Sequence, residues 1–530
     1  MNPSSLSAHF RKNADLYLIF GLFILLRSIH VFSPLHNHDD FYTMEVVGRN
    51  IVDMHSFMLD DVHLPLFFYI LKFFEWMFSF NHVLFRFVNI GISVWGLFVF
   101  FLLLRELFDR ERSIIGLLLV GLGSFHIAHT QNIRMYALVF LCSAYLLLFF
   151  VRFFLRNDFD RGNWWGWVLS SILLLHVHFF GYFLVFITYF LGCYYNRFDW
   201  LKTGIVLGMG SILSIIFMGY QVFLSIAGLS YGAWMPPTQW VELYWIFSAL
   251  SSSYILTPVF ILLFIRGAAK SFKDDALLFK VLALQVVFCV LSPLVVSIYI
   301  TPMFALRYFM IALPSFIIVI IYGFDGLEKD IFQLYLLLFL SIIYHTFLFL
   351  SSYTLLYMAF GGFMFFWLRV YALPIKSSGF AKYFFVFCCL CILVISTGKY
   401  FDENSDVYSE LSLCKSQISH YMEREGIAGS DNFYAVRWLN DWVLDHKPIS
   451  SALSYFSRPF EIQPKLVNER WVVNSSKDLY FLNPPLSQER YNYFYSFEDS
   501  GHLLEKEILC RGYHFRKYSV PNDVDINTNS

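Results

Sequence analysis

Two adjacent carboxylates, Asp39 and Asp40, follow the first long apolar stretch of the chain. A carboxylate that is held at the mouth of a helix bundle can accept a proton from an incoming hydroxyl, which is the role of a general base. The alternative interpretation is a solvated loop in which the two acids cap the next helix. Composition alone does not decide between them.

Histidines stand on both sides of the acidic pair, His36 and His38 near it and His63 further along the chain. Imidazole and carboxylate are both ligands of divalent metals, so these histidines could form a metal site with Asp39 or Asp40. The H-x-H spacing with a distant third histidine gives that alternative little support.

Two arginines, Arg134 and Arg307, each lie beside aromatic residues at the edge of an apolar stretch. The fork of a guanidinium matches the oxygens of a phosphate, so such residues could bind a phosphate that enters from the lipid. Snorkelling toward lipid headgroups is the alternative for either one alone. Arg27 and His30 are three residues apart in the first apolar stretch and are predicted to share one helix face.

The elements that must position these residues are membrane helices. Of the 530 residues, 58% are apolar and 15% charged, whereas a soluble domain has about 45–50% apolar and about 25% charged residues. A single-domain soluble enzyme is therefore excluded, and no basic tract indicates nucleic acid. Because a span needs roughly 20 apolar residues, we predict a polytopic α-helical protein with about thirteen spans, at 16–33, 87–104, 113–129, 135–151, 164–177, 179–195, 203–226, 242–265, 281–299, 306–323, 331–349, 354–371 and 382–397.

The apolar segment 64–80 is interrupted by Lys72 and Glu75 and is rich in aromatic residues, so we predict a helix that lies in the membrane interface within a first outer loop over 34–86. With the N-terminus inside, this choice places most Lys and Arg residues in inner loops. The lysines and arginines of the predicted outer loops are then few: Arg49, Lys72, Arg86, Arg134 and Arg307.

Thirteen spans divide the chain into a membrane domain, 1–397, and an extracytoplasmic tail, 398–530. The tail alternates polar and short apolar stretches, which predict a helix over 435–446 and strands over 470–476 and 508–520 in a small α/β domain. Cys414 and Cys510 could pair in an oxidising compartment, or they could be two unrelated thiols.

These features occur in an order that resembles the membrane-embedded glycosyltransferases of the type-C fold, in particular glycosyltransferase family 39. That family includes protein O-mannosyltransferases, and the lipid A aminoarabinose transferases are close to it. The resemblance extends over about residues 15–325. It depends on the acidic pair, on the H-L-P-L segment at 63–66, on Q-N-I-R-M-Y at 131–136 and on R-Y-x5-P at 307–314.

The resemblance implies a role for each matched residue. Asp39 matches the expected catalytic base, and Asp40 stands where the family usually has Glu. His63 begins a segment that matches the family's H-P-P-L with the first Pro lost; in the lipid A relatives a Lys at the His63 position approaches the donor phosphate. The remaining matched residues are Gln131, Arg134, Tyr136, Arg307 and Tyr308.

The implied reaction moves a sugar, a hexose such as mannose, from a polyprenyl-phosphate donor to an acceptor hydroxyl at the outer face of a bacterial inner membrane. The acceptor would be a protein, a lipid or a glycan. Asp39 would be the base with Asp40 in support, and Arg134, Arg307 and His63 would bind the donor phosphate. Gln131, Tyr136, His178 and Tyr308 would form the substrate pocket.

A single displacement at the sugar carbon inverts its configuration and requires neither a cofactor nor a metal. A secondary transporter is the main alternative. Transporter sites lie near the bilayer midplane, often between repeats, whereas the unusual polar residues here are predicted at one face and no repeat is visible.

Overall fold

The computed structural model describes residues 13–33, 38–59, 63–156, 161–226, 238–274, 276–300, 305–324, 331–348, 361 and 383–402, and six short stretches of the tail within 433–519. Over these residues, five helices are long and apolar enough to cross a membrane, or up to seven if two bent pairs are each one span. The chain is an integral membrane protein. The total of thirteen spans stays a prediction.

The membrane part is helical because hydrocarbon offers no hydrogen-bond partners, and a helix satisfies its backbone groups within one segment. The first helices are α1 (Ala14–Ser28), α2 (His38–Gly48), α3 (Ile51–Leu59), α4 (Leu66–Phe78), α5 (His82–Leu107), α6 (Arg110–Gly121), α7 (Ser124–Gln131), α8 (Tyr136–Arg156) and α9 (Arg161–Val177). They are followed by α10 (Gly181–Tyr194), α11 (Trp200–Gly210), α12 (Ile212–Ile226), α13 (Glu242–Ser251), α14 (Thr257–Lys273), α15 (Leu277–Tyr299), a 3-10 helix (Leu306–Ala312), α16 (Leu313–Gly323), α17 (Ile331–Leu348) and α18 (Tyr383–Asp402).

Within the described residues, three of the predicted spans are broken helices. The span over 113–129 bends by 55° between α6 and α7, and the span over 203–226 bends by 67° between α11 and α12. The span over 242–265 is interrupted after α13, where Ser252 has a φ of 56°. The breaks expose backbone groups inside the bundle; the Ser124 hydroxyl, for example, donates to the Ser252 carbonyl at 3.0 Å.

Helix α4 occupies most of the segment predicted to lie in the interface. At 13 residues it is roughly 20 Å long, which is too short for a hydrocarbon core of about 30 Å. Phe67, Phe68 and Leu71 are buried, whereas Trp76 is 81% exposed. Lys72 forms an ion pair with the neighbouring Glu75 on the same helix. The position of α4 in the membrane stays a prediction.

The core of the bundle forms where α5 and α9 pack on α8, and where α14 packs on α16. Gly267 and Gly323 allow the last pair to approach closely. A Cβ atom at Gly267 would clash with the Val319 carbonyl, and one at Gly323 would clash with the Leu263 carbonyl. Every residue of α16 is buried, so this helix is a central element of the bundle.

The chain divides into two compact units, one formed by residues 1–31 and 49–401 and the other by 32–48 and 402–530. The first unit contains α1 and the helices from α3 to α18. The second contains α2 and the strands β1 (Phe433–Ala435), β2 (Lys465–Val467), β3 (Arg470–Val472), β4 (Leu479–Asn483), β5 (Leu503–Cys510) and β6 (Tyr513–Ser519).

The strands of the second unit form a four-stranded sheet in the order β1-β4-β6-β5 and a two-stranded sheet of β2 and β3. Strand β1 is parallel to β4, and the other pairs are antiparallel. The segment predicted as one strand over 508–520 contains the end of β5 and all of β6. The predicted tail helix beyond Ala435 and Cys414 lie outside the described residues, so the α/β domain and the disulfide stay predictions. The predicted span over 354–371 also lies outside the described residues, apart from Gly361.

Candidate active site

Six residues that the sequence predicted for the site lie together in the first unit, and we call them the phosphate cluster: His63, Arg134, Tyr136, His178, Arg307 and Tyr308. They come from four places along the chain. His63 precedes α4, and Arg134 lies just before α8, which begins at Tyr136. His178 lies between α9 and α10, and Arg307 and Tyr308 lie in the 3-10 helix.

The cluster is centred on a hydrogen bond between Arg134 and His63. The Arg134 Nη2 atom is 2.6 Å from the His63 Nε2 atom, and Arg134 is only 2% exposed. A guanidinium has no acceptor atom, so Arg134 is the donor and His63 Nε2 is the acceptor. His63 in this arrangement is therefore uncharged, and the positive charge resides on Arg134.

The short segment between α7 and α8, which carries Arg134, is held by α5. The Asn89 side-chain amide donates to the Asn132 carbonyl, and also to the Arg134 carbonyl at 3.2 Å. The Arg134 amide closes a tight turn on the Asn132 carbonyl at 2.8 Å. A buried asparagine thus fixes the backbone from which the guanidinium extends.

Aromatic rings surround the second arginine. The Arg307 Cζ atom lies 5.8 Å from the centre of the Tyr308 ring and 6.0 Å from that of Tyr136. The centres of the Tyr136 and Tyr308 rings are 6.3 Å apart. Ring faces attract a cation within about 6 Å, which favours this position of the guanidinium.

His178 lies against the same rings, with its ring centre 4.7 Å from Tyr308 and 6.0 Å from Tyr136. Its Nδ1 atom accepts a hydrogen bond from the Phe180 amide at 3.1 Å. Burial lowers the pKa of His178 to about 3, with smaller contributions from His63, Arg134 and Arg307. His178 is therefore a neutral imidazole whose proton is on Nε2, so it can donate a hydrogen bond.

Gln131, the seventh predicted residue of this unit, contacts the protein backbone. Its side-chain amide donates to the Ile29 carbonyl at 2.8 Å and, over longer distances, to the Leu26 and Arg27 carbonyls. Its Oε1 atom accepts a hydrogen bond from the Tyr400 hydroxyl at 3.0 Å.

The acidic pair belongs to the second unit, at the start of α2. Asp39 is half-buried, Asp40 is 1% exposed, and the Thr43 hydroxyl donates to the Asp39 carbonyl at 3.0 Å. Adjacent helical residues point about 100° apart, so the two carboxylates have different surroundings. Their catalytic roles stay predictions.

Over the part of the chain that the structure describes, no three His, Cys, Asp or Glu side chains come close enough to hold a metal ion. His36 and the side chain of His38 lie outside those residues. The metal alternative therefore stays untested.

A second polar cluster surrounds Arg27, which is 1% exposed. The guanidinium donates to Ser93 Oγ at 2.9 Å, to His126 Nδ1 at 2.7 Å, and to the carbonyls of Phe23 and Gly121 at 3.2 Å. Because α1 ends at Ser28 and His30 has a φ of 66°, the expected common helix face of Arg27 and His30 was wrong. The sequence contains one signal for this cluster, namely a charge within an apolar stretch.

This arrangement of helices is the type-C glycosyltransferase fold, which confirms the fold that the resemblance implies. The solved structures to which the chain is similar include ArnT from Cupriavidus metallidurans in two states. The apo structure has a TM-score of 0.61 with 8% identity, over 96% of this chain and 98% of that chain. The structure bound to undecaprenyl phosphate has a TM-score of 0.59 with 8% identity, over 95% and 98%. Neither a family model nor a curated protein sequence matches the chain.

Proposed function

We propose that this protein is a membrane glycosyltransferase that moves a sugar from a polyprenyl-phosphate donor to an acceptor hydroxyl. The observation that carries this proposal is the phosphate cluster. There a buried Arg134, and an Arg307 that lies against tyrosine rings, come together from distant parts of the chain. ArnT, which has the same fold, was solved with undecaprenyl phosphate bound, and this supports a donor of that class.

In the proposed reaction, the acceptor oxygen forms a bond to the anomeric carbon while the bond from that carbon to the phosphate oxygen breaks. The acceptor proton passes to the Asp39 carboxylate, which Asp40 supports, and the polyprenyl phosphate leaves. Arg134 and Arg307 stabilise the charge that grows on the phosphate, because fixed cations in a buried site need no reorganisation as the charge develops. The displacement inverts the anomeric centre.

The aromatic rings and the neutral imidazole of the phosphate cluster are suited to bind the sugar of the donor. Tyr136 and Tyr308 offer flat apolar surfaces, and the Nε2 proton of His178 can donate to a sugar or phosphate oxygen. We further propose thirteen spans within residues 1–397 of a bacterial inner membrane protein and an extracytoplasmic α/β tail over 398–530. The sugar is a hexose such as mannose, the acceptor is a protein, lipid or glycan, and no cofactor or metal takes part.

The test uses the full-length protein in liposomes with a panel of radiolabelled polyprenyl-phosphate sugars and membrane extract as the source of acceptors. We expect one label to move to an acceptor, and we expect Asp39→Asn to abolish transfer while donor binding remains. Asp53→Asn is the matched control, because Asp53 is an exposed acid of the same predicted loop. Full activity in Asp39→Asn would exclude Asp39 as the base.

The same assay tests the phosphate cluster. Removing one charge-assisted contact to phosphate costs about 1.5–3 kcal/mol, so Arg134→Ala or Arg307→Ala should raise the donor KM, lower kcat, or both, by more than tenfold in kcat/KM. Unchanged constants in both variants would contradict the proposed phosphate site. Uptake of free label into the liposomes without transfer would favour a transporter instead.

A further inference from the structure

Gln131 connects two places at which the chain leaves the first unit. The chain passes from the first unit to the second after Val31 and again after Phe401. The Gln131 amide donates to Ile29 just before the first exit, and its Oε1 atom accepts from Tyr400 just before the second. One side chain therefore uses its donors on one exit and its acceptor on the other.

The two exits lie side by side in the first unit. The ring centres of His30 and Phe401 are 6.2 Å apart. Arg86 from α5 donates to the carbonyls of His30 at 3.1 Å and Val31 at 3.0 Å. The Thr397 hydroxyl, one turn before Phe401, donates to the Leu122 carbonyl at 2.6 Å.

The place where the chain returns to the first unit is also fixed by a side chain. The Lys72 ammonium group of α4 donates to the Arg49 carbonyl at 2.7 Å. Side chains of the first unit thus hold the backbone on both sides of segment 32–48, which carries Asp39 and Asp40, and Gln131 joins the residues before this segment to those before the tail.

We propose that Gln131 is a positioning residue. It holds the exit that leads to the acidic helix α2 against the exit that leads to the tail, and so fixes where the segment that carries the predicted base leaves the first unit. The catalytic consequence rests on the proposed function. The resemblance implies instead that Gln131 contacts substrate. The two roles differ in kinetics, because a residue that positions the base acts on turnover, whereas a residue that binds the donor acts on its affinity.

Three variants separate these roles. Gln131→Leu removes both the donors and the acceptor of the side chain. Tyr400→Phe removes only the hydroxyl that donates to Gln131 at the second exit. Gln131→Glu keeps the acceptor but, when ionised, loses the donors to the carbonyls of Leu26, Arg27 and Ile29. Gln285→Leu is the matched control, since it removes another buried glutamine from α15, away from the exits.

The kinetic test measures donor KM and kcat. Loss of a hydrogen bond of about 1.4 kcal/mol corresponds to a tenfold change, so we expect Gln131→Leu to lower kcat about tenfold with the donor KM within about twofold. Tyr400→Phe should lower kcat by less, and the double variant should be no worse than Gln131→Leu. In Gln131→Glu, kcat relative to wild type should rise as the pH falls, because the protonated carboxyl regains a donor. A raised donor KM with unchanged kcat would overturn the proposal in favour of substrate contact, as would kcat values that match those of Gln285→Leu.

A second measurement does not depend on activity. Cysteines placed at His30 and Phe401 should be joined by a short bifunctional maleimide, and Gln131→Leu should slow this cross-linking severalfold while Gln285→Leu should not. An unchanged cross-linking rate would refute the joining of the exits even if no donor sugar were ever transferred. Failure of transfer in the wild type, with cross-linking slowed as expected, would instead refute the proposed function alone.

Discussion

At the scale of single residues, the hydrogen bond between Arg134 and His63 determines how charge is distributed in the phosphate cluster. His63 accepts this bond and is uncharged while it lasts, so Arg134 and Arg307 supply the positive charge.

His178 gives a prediction for the pH dependence of stability. Its pKa is lowered to about 3 in the folded protein, chiefly by burial, whereas an unfolded histidine has a pKa of about 6.5. Between these values only the unfolded chain binds the proton, so the free energy of unfolding falls as the pH falls from about 6.5 toward 3. We expect His178→Gln to lose less thermal stability than wild type between pH 7 and pH 5.

Thermal unfolding in detergent, followed by intrinsic fluorescence, measures this difference. His55→Gln is the control, since it removes an exposed histidine of α3. An equal loss of melting temperature in His178→Gln and wild type would show that His178 does not contribute.

The members of the phosphate cluster could be predicted from the sequence because Arg134, Arg307 and their aromatic neighbours stand at the edges of apolar stretches, where a charged side chain is costly and therefore a functional candidate. It did not predict the arrangement of Gln131, whose amide contacts carbonyls over 100 residues away in the chain. An amide side chain can hydrogen-bond with a substrate or with a helix end equally well. Only the three-dimensional neighbours distinguish these uses.

At the scale of elements, the close contact of α14 and α16 gives a stability prediction. Gly267→Ala places a methyl group against the Val319 carbonyl, and backbone atoms cannot move aside as a flexible side chain can. Overpacking of this kind costs about 1–3 kcal/mol, so we expect a clearly lower melting temperature. Because α16 continues from the 3-10 helix of Arg307, activity should fall with it.

Gly208→Ala on α11 is the matched control, since an added Cβ atom there has open space around it. Alanine favours helix over glycine by about 0.5–1 kcal/mol, so this control should be neutral or slightly stabilising. Equal melting temperatures for the two variants would contradict the close packing of α14 on α16.

Hydropathy predicted where the helices lie but not where they break. The breaks at Gly123 and Ser252 fall inside stretches whose average apolarity is high, and an average over about twenty residues hides a single non-helical residue. Polar residues beside the breaks, such as Ser124 and Ser253, were the available signal, because hydroxyls at membrane depth often satisfy backbone groups that a break exposes.

At the scale of the whole molecule, the predicted sidedness of the tail depends on the number of spans. Helix α4 has 13 residues, fewer than the roughly 20 that a span needs, and the thirteen predicted spans with the N-terminus inside would place the tail outside. We expect a reporter enzyme fused after residue 398 to be active only outside the cytoplasm. A fusion after residue 157, in a predicted inner loop, is the control and should report the cytoplasm. A cytoplasmic signal from the first fusion would mean that segment 64–80 spans the membrane.

The general architecture could be predicted from the sequence because each apolar stretch indicates a helix without reference to the others. The grouping of residues 32–48 with the tail into one unit could not, since it joins segments more than 350 positions apart. No local pattern in either segment indicates the other.

The buried charge of Arg27 has a consequence for biogenesis. Its guanidinium lies in α1, but its partners Ser93, Gly121 and His126 follow 66, 94 and 99 residues later in the chain. Arg27 lies in the last turn of α1, where a long side chain can reach toward water or headgroups until α5, α6 and α7 have been synthesised. The final burial of this charge therefore requires the later helices, and it couples the placement of α1 to the assembly of the bundle.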